Sequence, residues 1–304
     1  MSPIFSVSVD LDGLGCYAAI HGQDPRALDR RALEAVPVVA LSRLCALFAD
    51  LGVPATFFAI GRELVEIDGA AAALGSAARA GHEIASHSHD HDYALSRRTP
   101  QEIADDLRRA DEAIQRACGR APRGFRAPGY TLSRALIEAV KARGHLYDSS
   151  LLPSPGYYAA KAAAIGLHAA RGRSSQSILG GPVQLFWRRG PQFLRGLREL
   201  PIATLPLLRL PIIGTLAVAA PAAIAAGLLW AARAGGHVNL ELHGIDVLDA
   251  TDGAPAALAQ VQPGLTLPAG KKLERLRSLI EALRRKAEPM TLERAATAVL
   301  PAAD

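Results

Sequence analysis

Five short apolar runs in this chain each end in residues suited to chemistry, and the runs alternate with helical segments. The first, Ile4-Phe5-Ser6-Val7-Ser8-Val9, opens into Asp10-Leu11-Asp12-Gly13. The others deliver His87 and His91, Arg126, Asp148 and His243. Strands that alternate with helices build a sheet covered on its faces, and functional groups then collect where the carboxyl ends of the strands open into loops. The alternation predicts an α/β fold with one active rim. At 304 residues, half of them hydrophobic, the chain is large enough for a single barrel-like domain with a full core. Strands are expected over 4–9, 54–60, 82–86, 123–126, 145–149, 198–203 and 237–243. Helices are expected near 30–51, 69–80, 100–118, 133–143 and 270–287. Thr99-Pro100-Gln101-Glu102 has the capping threonine, first-turn proline and capping-box glutamate of a helix start.

The densest chemistry lies in Gly81-His82-Glu83-Ile84-Ala85-Ser86-His87-Ser88-His89-Asp90-His91. Imidazole is a common ligand for zinc and related ions, and His87 and His91 converge if the loop makes one helical turn. Met in isolation, such a pair is more often a surface or core feature. Asp10 and Asp12 share a strand face at i and i+2, which suits a division of labour in which one carboxylate binds a metal and the other accepts a proton from water. The plain alternative is a strand-ending turn at Asp-Gly. Arg126, Asp148 and His243 each have an ordinary reading as well, as surface charge, turn former and core histidine. Their common position at strand ends joins them into one rim.

Taken together these residues resemble the polysaccharide deacetylases, also called carbohydrate esterase family four or the NodB homology domain. The resemblance runs over about residues 4–250 and is weakest over 153–236. It implies a distorted, incomplete (β/α) barrel of about seven strands. It also implies that Asp10 is the base and Asp12 a metal ligand, that His87 and His91 of His87-Ser88-His89-Asp90-His91 complete the ligand set, and that Arg126 of Arg126-Ala127-Pro128 holds the base. Asp148 is expected to orient His243, the general acid. A backbone N–H near Gly129 is a candidate oxyanion donor, and His89 and Asp90 are expected to shape the loop. The implied cofactor is one divalent ion, zinc first, with cobalt, nickel or iron(II) as other ions the site accepts. The implied activity is removal of an acetyl or formyl group from an amino sugar. The other reading is a noncatalytic sugar- or membrane-binding protein that retains the fold. Two departures bear on substrate class: Leu11 splits the family's usual adjacent aspartates, and Gly244 follows His243 where proline is common.

Cys16, Cys45 and Cys118 show no pairing pattern, and Met1-Ser2-Pro3-Ile4 lacks the basic and long apolar segments of a signal peptide. Both features favour a cytoplasmic location. Cys16 reads as a small buried thiol. From Pro153 to Arg209 the chain carries eight basic residues (Lys161 and Arg171, Arg173, Arg188, Arg189, Arg195, Arg198 and Arg209) against one acid, Glu199; that is net +7 within a chain of net +5. Such a segment attracts phosphates or the anionic inner membrane leaflet, and no nucleic-acid-binding motif accompanies it. Residues 210–232 contain no charge. Pro211 and Pro221 interrupt them and they lead directly into the strand carrying His243, so a buried or cap helix around 219–233 is expected rather than a membrane span. An amide hydrolase with a basic, apolar insert suggests a lipid-phosphate-linked amino sugar and peripheral contact with an anionic membrane.

Overall fold

All seven residues of β1 (Ile4–Asp10) are buried, the mark of a strand covered on both faces. The computed structural model describes residues 3–170, 178–179, 187–205 and 209–301; Arg171 and Arg173 of the basic segment lie outside them. Around β1 the sheet is built from β2 (Ala55–Ala59), β3 (Glu83–Ser86), β4 (Gly124–Phe125), β5 (Tyr147–Asp148), β6 (Gln192–Leu194), β7 (Leu197–Glu199), β8 (His237–His243) and β9 (Glu288–Pro289). The order is β6-β7-β5-β4-β3-β2-β1-β8, with β9 pairing beside β1. Every pairing is parallel except the β6–β7 hairpin. The expected seven strands thus correspond to β1–β5, β7 and β8. The hairpin strand β6 and the short β9 are additions, because both are too brief to show an alternating pattern.

The sheet curls toward closure without a full strand at the seam. Leu200 donates to Asp148 O at 3.0 Å and Ile202 to Leu151 O at 2.8 Å, while Ala203 donates to Asn239 O of β8 at 3.0 Å. Residues 200–203 therefore bridge the two sheet edges, giving the incomplete (β/α) barrel that was expected. Strands β1 and β8 run in register from Ile4 opposite His237 to Asp10 opposite His243, so β8 carries His243 to the rim beside Asp10 and leaves His237 at the foot.

The helices form for legible reasons. Pro100–Cys118 starts with the reciprocal Thr99–Glu102 capping box and stops at Gly119 in the left-handed conformation. The expected helix over 30–51 is present but widens to a π-helical turn over Ala35–Ala40 around Pro37, whose ring removes an N–H from the regular ladder. It is long and apolar enough to cross a membrane, yet Val36, Leu41, Leu44, Leu47 and Phe48 sit in the main core. In the charge-free stretch, the helix Pro221–Gly235 packs Ile224, Ala225, Leu228 and Ala232 into the same core and leaves Trp230 outside, half exposed at 53%. This is the helix expected around 219–233, buried along one face.

Candidate active site

The loop after β3 brings His87 and His91 together, but not through a helical turn. Ser88 and His91 both adopt left-handed backbone angles, with φ of 67° and 51°, a conformation that costs about 1–3 kcal/mol per non-glycine residue and persists only where its surroundings impose it. Here they do. The Asp106 carboxylate accepts the backbone N–H groups of His89 at 2.9 Å and Asp90 at 3.0 Å, and Ser88 Oγ accepts that of His91 at 3.1 Å. Arg109 pins Asp90 from outside at 3.0 Å. His89 and Asp90 thus shape the loop, His89 by packing its Nδ1 where a Cβ on Gly61 would approach to 2.7 Å.

Asp12 Oδ1 lies 3.3 Å from both His87 Nε2 and His91 Nε2. His87 Nδ1 donates to the carbonyl of Arg126 at 2.8 Å, which in the neutral ring leaves the Nε2 lone pair facing Asp12. Asp12 Oδ1 and His91 Nε2 are buried without a hydrogen-bond partner. The three donor atoms lie within 4.8 Å of one another. Two imidazoles and a carboxylate, one ring fixed by a backbone carbonyl and two donor atoms otherwise unsatisfied, fit a zinc-like cation. Burial pushes the Asp12 carboxyl up, but His91 and His87 overcome it and hold it well below the usual carboxylate range. Burial pulls the His91 imidazole down, and Asp12 and the Cys16 thiol more than reverse this, raising it to about 10. Cys16, buried as expected, thus packs directly against His91. Glu63, overlooked in the sequence, accepts the Gly13 N–H at 3.2 Å, and burial beside Asp12 pushes its carboxyl up to about 8.

Arg126 is fully buried and its donors are all engaged. Nε donates to Ser149 O at 2.8 Å, Nη1 to Asp10 Oδ1 at 2.5 Å and Glu241 Oε1 at 3.4 Å, and Nη2 to Ser8 Oγ at 2.9 Å and Ser149 Oγ at 3.0 Å. Its guanidinium also lies 4.1 Å over the Phe58 ring. Asp10 is therefore held by one oxygen, while Oδ2 faces the site, 3.7 Å from His87 Nε2 and 4.0 Å from His243 Nε2.

Asp148 does not meet His243. Its carboxylate accepts Ser150 Oγ at 2.7 Å and Ser150 N at 3.2 Å, and it hydrogen-bonds Glu199 of β7. Burial pushes both carboxyls up, Glu199 further because Asp148 faces it, so the pair shares a proton beside Arg126. The partners of His243 are others: Tyr130 Oη at 3.3 Å, Asp10, and Glu241, two residues earlier on the same strand face. Alternation in His237-Val238-Asn239-Leu240-Glu241-Leu242-His243 carried the signal for Glu241, since every second residue is polar and faces inward. Gly244 also has a local reason: a Cβ there would approach Val36 to 2.4 Å.

The insert contributes to the rim through its helix Pro155–Ala170, where Lys161 Nζ donates to Gly129 O at 3.1 Å and Tyr157 packs on Tyr130. Desolvation lowers the Lys161 ammonium to about 8. Arg188 and Arg189 are elsewhere. With Thr204, Trp230 and His237 they line a cavity of about 400 Å³. That cavity sits at the foot of β8, away from the Asp12, His87 and His91 cluster.

A curled parallel sheet thus gathers an Asp-His-His cluster, a buried arginine on a second aspartate and a histidine at one rim of an incomplete (β/α) barrel. The polysaccharide deacetylase family model matches residues 34–147, a stretch that includes His87, His91 and Arg126. Over 149 residues the chain is 28% identical to the peptidoglycan deacetylase of Helicobacter pylori, covering 49% of this chain and 50% of that relative. The match thus spans half of the relative's length. Among solved structures, one described as a polysaccharide deacetylase from Mycobacterium smegmatis shares 21% identity, covers 98% of this chain and 91% of its own, and superposes with a TM-score of 0.63. A pseudoenzyme of carbohydrate esterase family four from Bacillus anthracis shares 11% identity, covers 97% of this chain and 66% of its own, and has a TM-score of 0.51. Over these residues the chain is similar to the polysaccharide deacetylases, and it shares the fold of the solved structures.

Proposed function

We propose that the protein is a metal-dependent hydrolase that removes an N-acyl group, acetyl or formyl, from an amino sugar. One observation carries this reading: Asp12, His87 and His91 converge on a single point while Asp10, two residues from Asp12, is kept out of that cluster by Arg126. A ligand set and a separate base are what metal-assisted amide hydrolysis needs. A divalent ion held there, zinc or in its place cobalt, nickel or iron(II), supplies Lewis acidity that polarises the acyl carbonyl and makes a water easier to deprotonate. Asp10 takes that water's proton on Oδ2, the oxygen Arg126 leaves free. Arg126 holds the base in place through Oδ1. His243 gives a proton to the departing amine, which leaves poorly without one. Asp10 Oδ2 lies 3.7 Å from His87 Nε2 and 4.0 Å from His243 Nε2, so a single carboxylate oxygen is near both the ligand cluster and the acid.

The finer reading concerns the sugar's carrier. A lipid-phosphate-linked substrate is supported by Lys161, a cation of the insert held at the rim. Peripheral contact with an anionic membrane is supported by Arg188, Arg189 and the half-exposed Trp230 at the foot. Three free cysteines accord with a cytoplasmic location.

The competing reading is a noncatalytic binding protein, because a pseudoenzyme shares this fold. Retention of both Asp10 and His243 favours the enzyme, since binding alone needs neither base nor acid. Reconstitution with zinc, metal analysis, and assay of acetate or formate release from N-acylated amino-sugar oligomers and from a lipid-phosphate-linked amino sugar separate the two. Stoichiometric metal and acyl release are expected; neither would appear if the chain only binds.

A further inference from the structure

The general acid of the proposed reaction lacks the orienting partner that the family resemblance assigns to it, because Asp148 is engaged by Ser150 and Glu199. We infer that Glu241 and Tyr130 take that place: they are the positioning residues that aim His243 Nε2 at the acyl site and keep a proton on it. The inference rests on the deacylase reading for its consequence, though not for its geometry.

Three observations support it. Glu241 and His243 lie at i and i+2 of β8 and so share the inward face; carboxylate and imidazole atoms of Asp10, Glu241 and His243 lie within 4.8 Å of one another. Tyr130 Oη stands 3.3 Å from His243 Nε2 and hydrogen-bonds the Glu241 carboxylate. A phenol that donates to the carboxylate accepts from Nε2–H, so the three groups form one directed chain. Third, Tyr130 is held with φ of 61°, directly after Gly129, also at 61°. A tyrosine in the left-handed region is strained, and such strain concentrates where a side chain's aim matters.

The same three-residue cluster offers ligand-type atoms, but a second cation there is disfavoured. Arg126, fully buried and touching both Asp10 and Glu241, already supplies the positive charge. The groups that face His243 are Glu241 on its own strand, Asp10 at the end of β1, Asp12 in the loop after it, Arg126 after β4, Tyr130 after Arg126, and Asp246 in the following turn, which accepts the His243 backbone N–H at 2.7 Å. Burial lowers the His243 imidazole, and the surrounding carboxylates, Glu241 foremost, bring it up to about 9. Burial pushes the Glu241 carboxyl up to about 8, with Arg126 opposing the rise and Asp10 adding to it.

The test compares wild type with Glu241→Gln, Glu241→Asp, Tyr130→Phe and Asp148→Asn. In the metal-free protein labelled with ¹⁵N-histidine, the His243 resonance, assigned by His243→Gln, is followed against pH. Its midpoint is expected to fall by about one unit or more in Glu241→Gln, to recover in Glu241→Asp, and to stay put in Asp148→Asn. In the zinc-loaded enzyme, Glu241→Gln is expected to move the alkaline limb of kcat/KM to lower pH with metal stoichiometry unchanged. Tyr130→Phe is expected to lower kcat with little change in KM. An unmoved midpoint in Glu241→Gln, or the same shift in Asp148→Asn, overturns the inference. Should Glu241→Gln fail to fold, Tyr130→Phe decides: unchanged kcat and unchanged resonance also overturn it. Absence of turnover in wild type would reject the deacylase reading and leave the resonance comparison to stand by itself.

Discussion

Arg126 Nη1 donates to Asp10 Oδ1 from a guanidinium that has no exposed surface. A buried charge of this kind is tolerable only because every neighbour answers it, and two carboxylates, two serine hydroxyls and a carbonyl do so here. Removing the arginine strands Asp10 and Glu241 in the barrel interior. Arg126→Ala should therefore lose about 3–5 kcal/mol of stability in denaturant unfolding, the usual cost of breaking a buried pair from one side. Arg126→Lys should lose less stability but retain little activity, because an ammonium cannot reproduce the planar fork that spans Ser8, Ser149 and Asp10. Near-native stability of Arg126→Ala would mean that the buried contacts of Arg126 contribute little to the fold.

Asp10 and Asp12 are two residues apart and should fail differently. Asp12→Ala, His87→Ala and His91→Ala should each abolish metal retention after dialysis, because each removes one of three converging donors. Asp10→Asn should retain metal while acyl release falls by about 10²- to 10⁴-fold, the usual weight of a general base. Metal analysis and turnover on the same preparations check both halves. Near-normal turnover of Asp10→Asn would assign the base to another residue.

The arrangement was legible where it depended on local pattern and illegible where it depended on partners. Seven of the strands, the Pro100–Cys118 helix with its cap and the cap helix over Pro221–Gly235 follow from periodicity and end signals. Asp10, Asp12, His87, His91, Arg126 and His243 occupy one rim because strand ends of a parallel barrel share it. The partner of Asp148 was not legible, since Glu199 reaches it from another strand in a register no local pattern specifies. Asp106 was missed for the same reason: on the sequence it is one acid on a charged helix, and only the fold turns it toward the loop N–H groups of His89 and Asp90. Glu241 is the exception, because the alternation of β8 placed it on the His243 face and needed only to be read to its end.

The foot of β8 makes its own prediction about pH. His237 hydrogen-bonds Ser6 Oγ at 2.9 Å, and burial pushes its imidazole down to about 3. In the unfolded chain histidine titrates near ~6.5, so between these values the unfolded state binds the extra proton. The folded-state value is depressed, and stability is therefore fullest above the unfolded value and declines as pH falls toward the folded one. The unfolding free energy of wild type minus that of His237→Asn should fall by about 2 kcal/mol between pH 7.5 and pH 5, at roughly 1.4 kcal/mol per unit over the titrating range. Taking the difference removes the opposite contribution of Glu83, whose carboxyl burial raises to about 7. A difference that does not vary with pH would show that His237 is protonated in the fold.

The basic insert divides between the two ends of the barrel, and so should its functions. His237 and His243 are the two ends of a seven-residue strand, about 20 Å apart at the rise of a parallel strand, so the foot cavity and the rim cannot be occupied by the same small group. If the foot meets an anionic membrane, the chain should bind vesicles containing anionic lipid and bind neutral ones poorly. Binding should weaken as salt rises, because screening cuts the reach of exposed charge to ~8 Å at physiological ionic strength. The double substitution Arg188→Glu and Arg189→Glu should reduce vesicle binding and activity on a membrane-borne, lipid-linked amino sugar. It should spare a short soluble N-acetylated oligomer, since no group at the rim is touched. Lys161→Gln should show the converse, with vesicle binding intact and the phosphate-bearing substrate lost in preference to the neutral one. Equal loss on both substrates in the arginine double variant would make the foot a folding element, and undiminished vesicle binding would remove it from the membrane altogether.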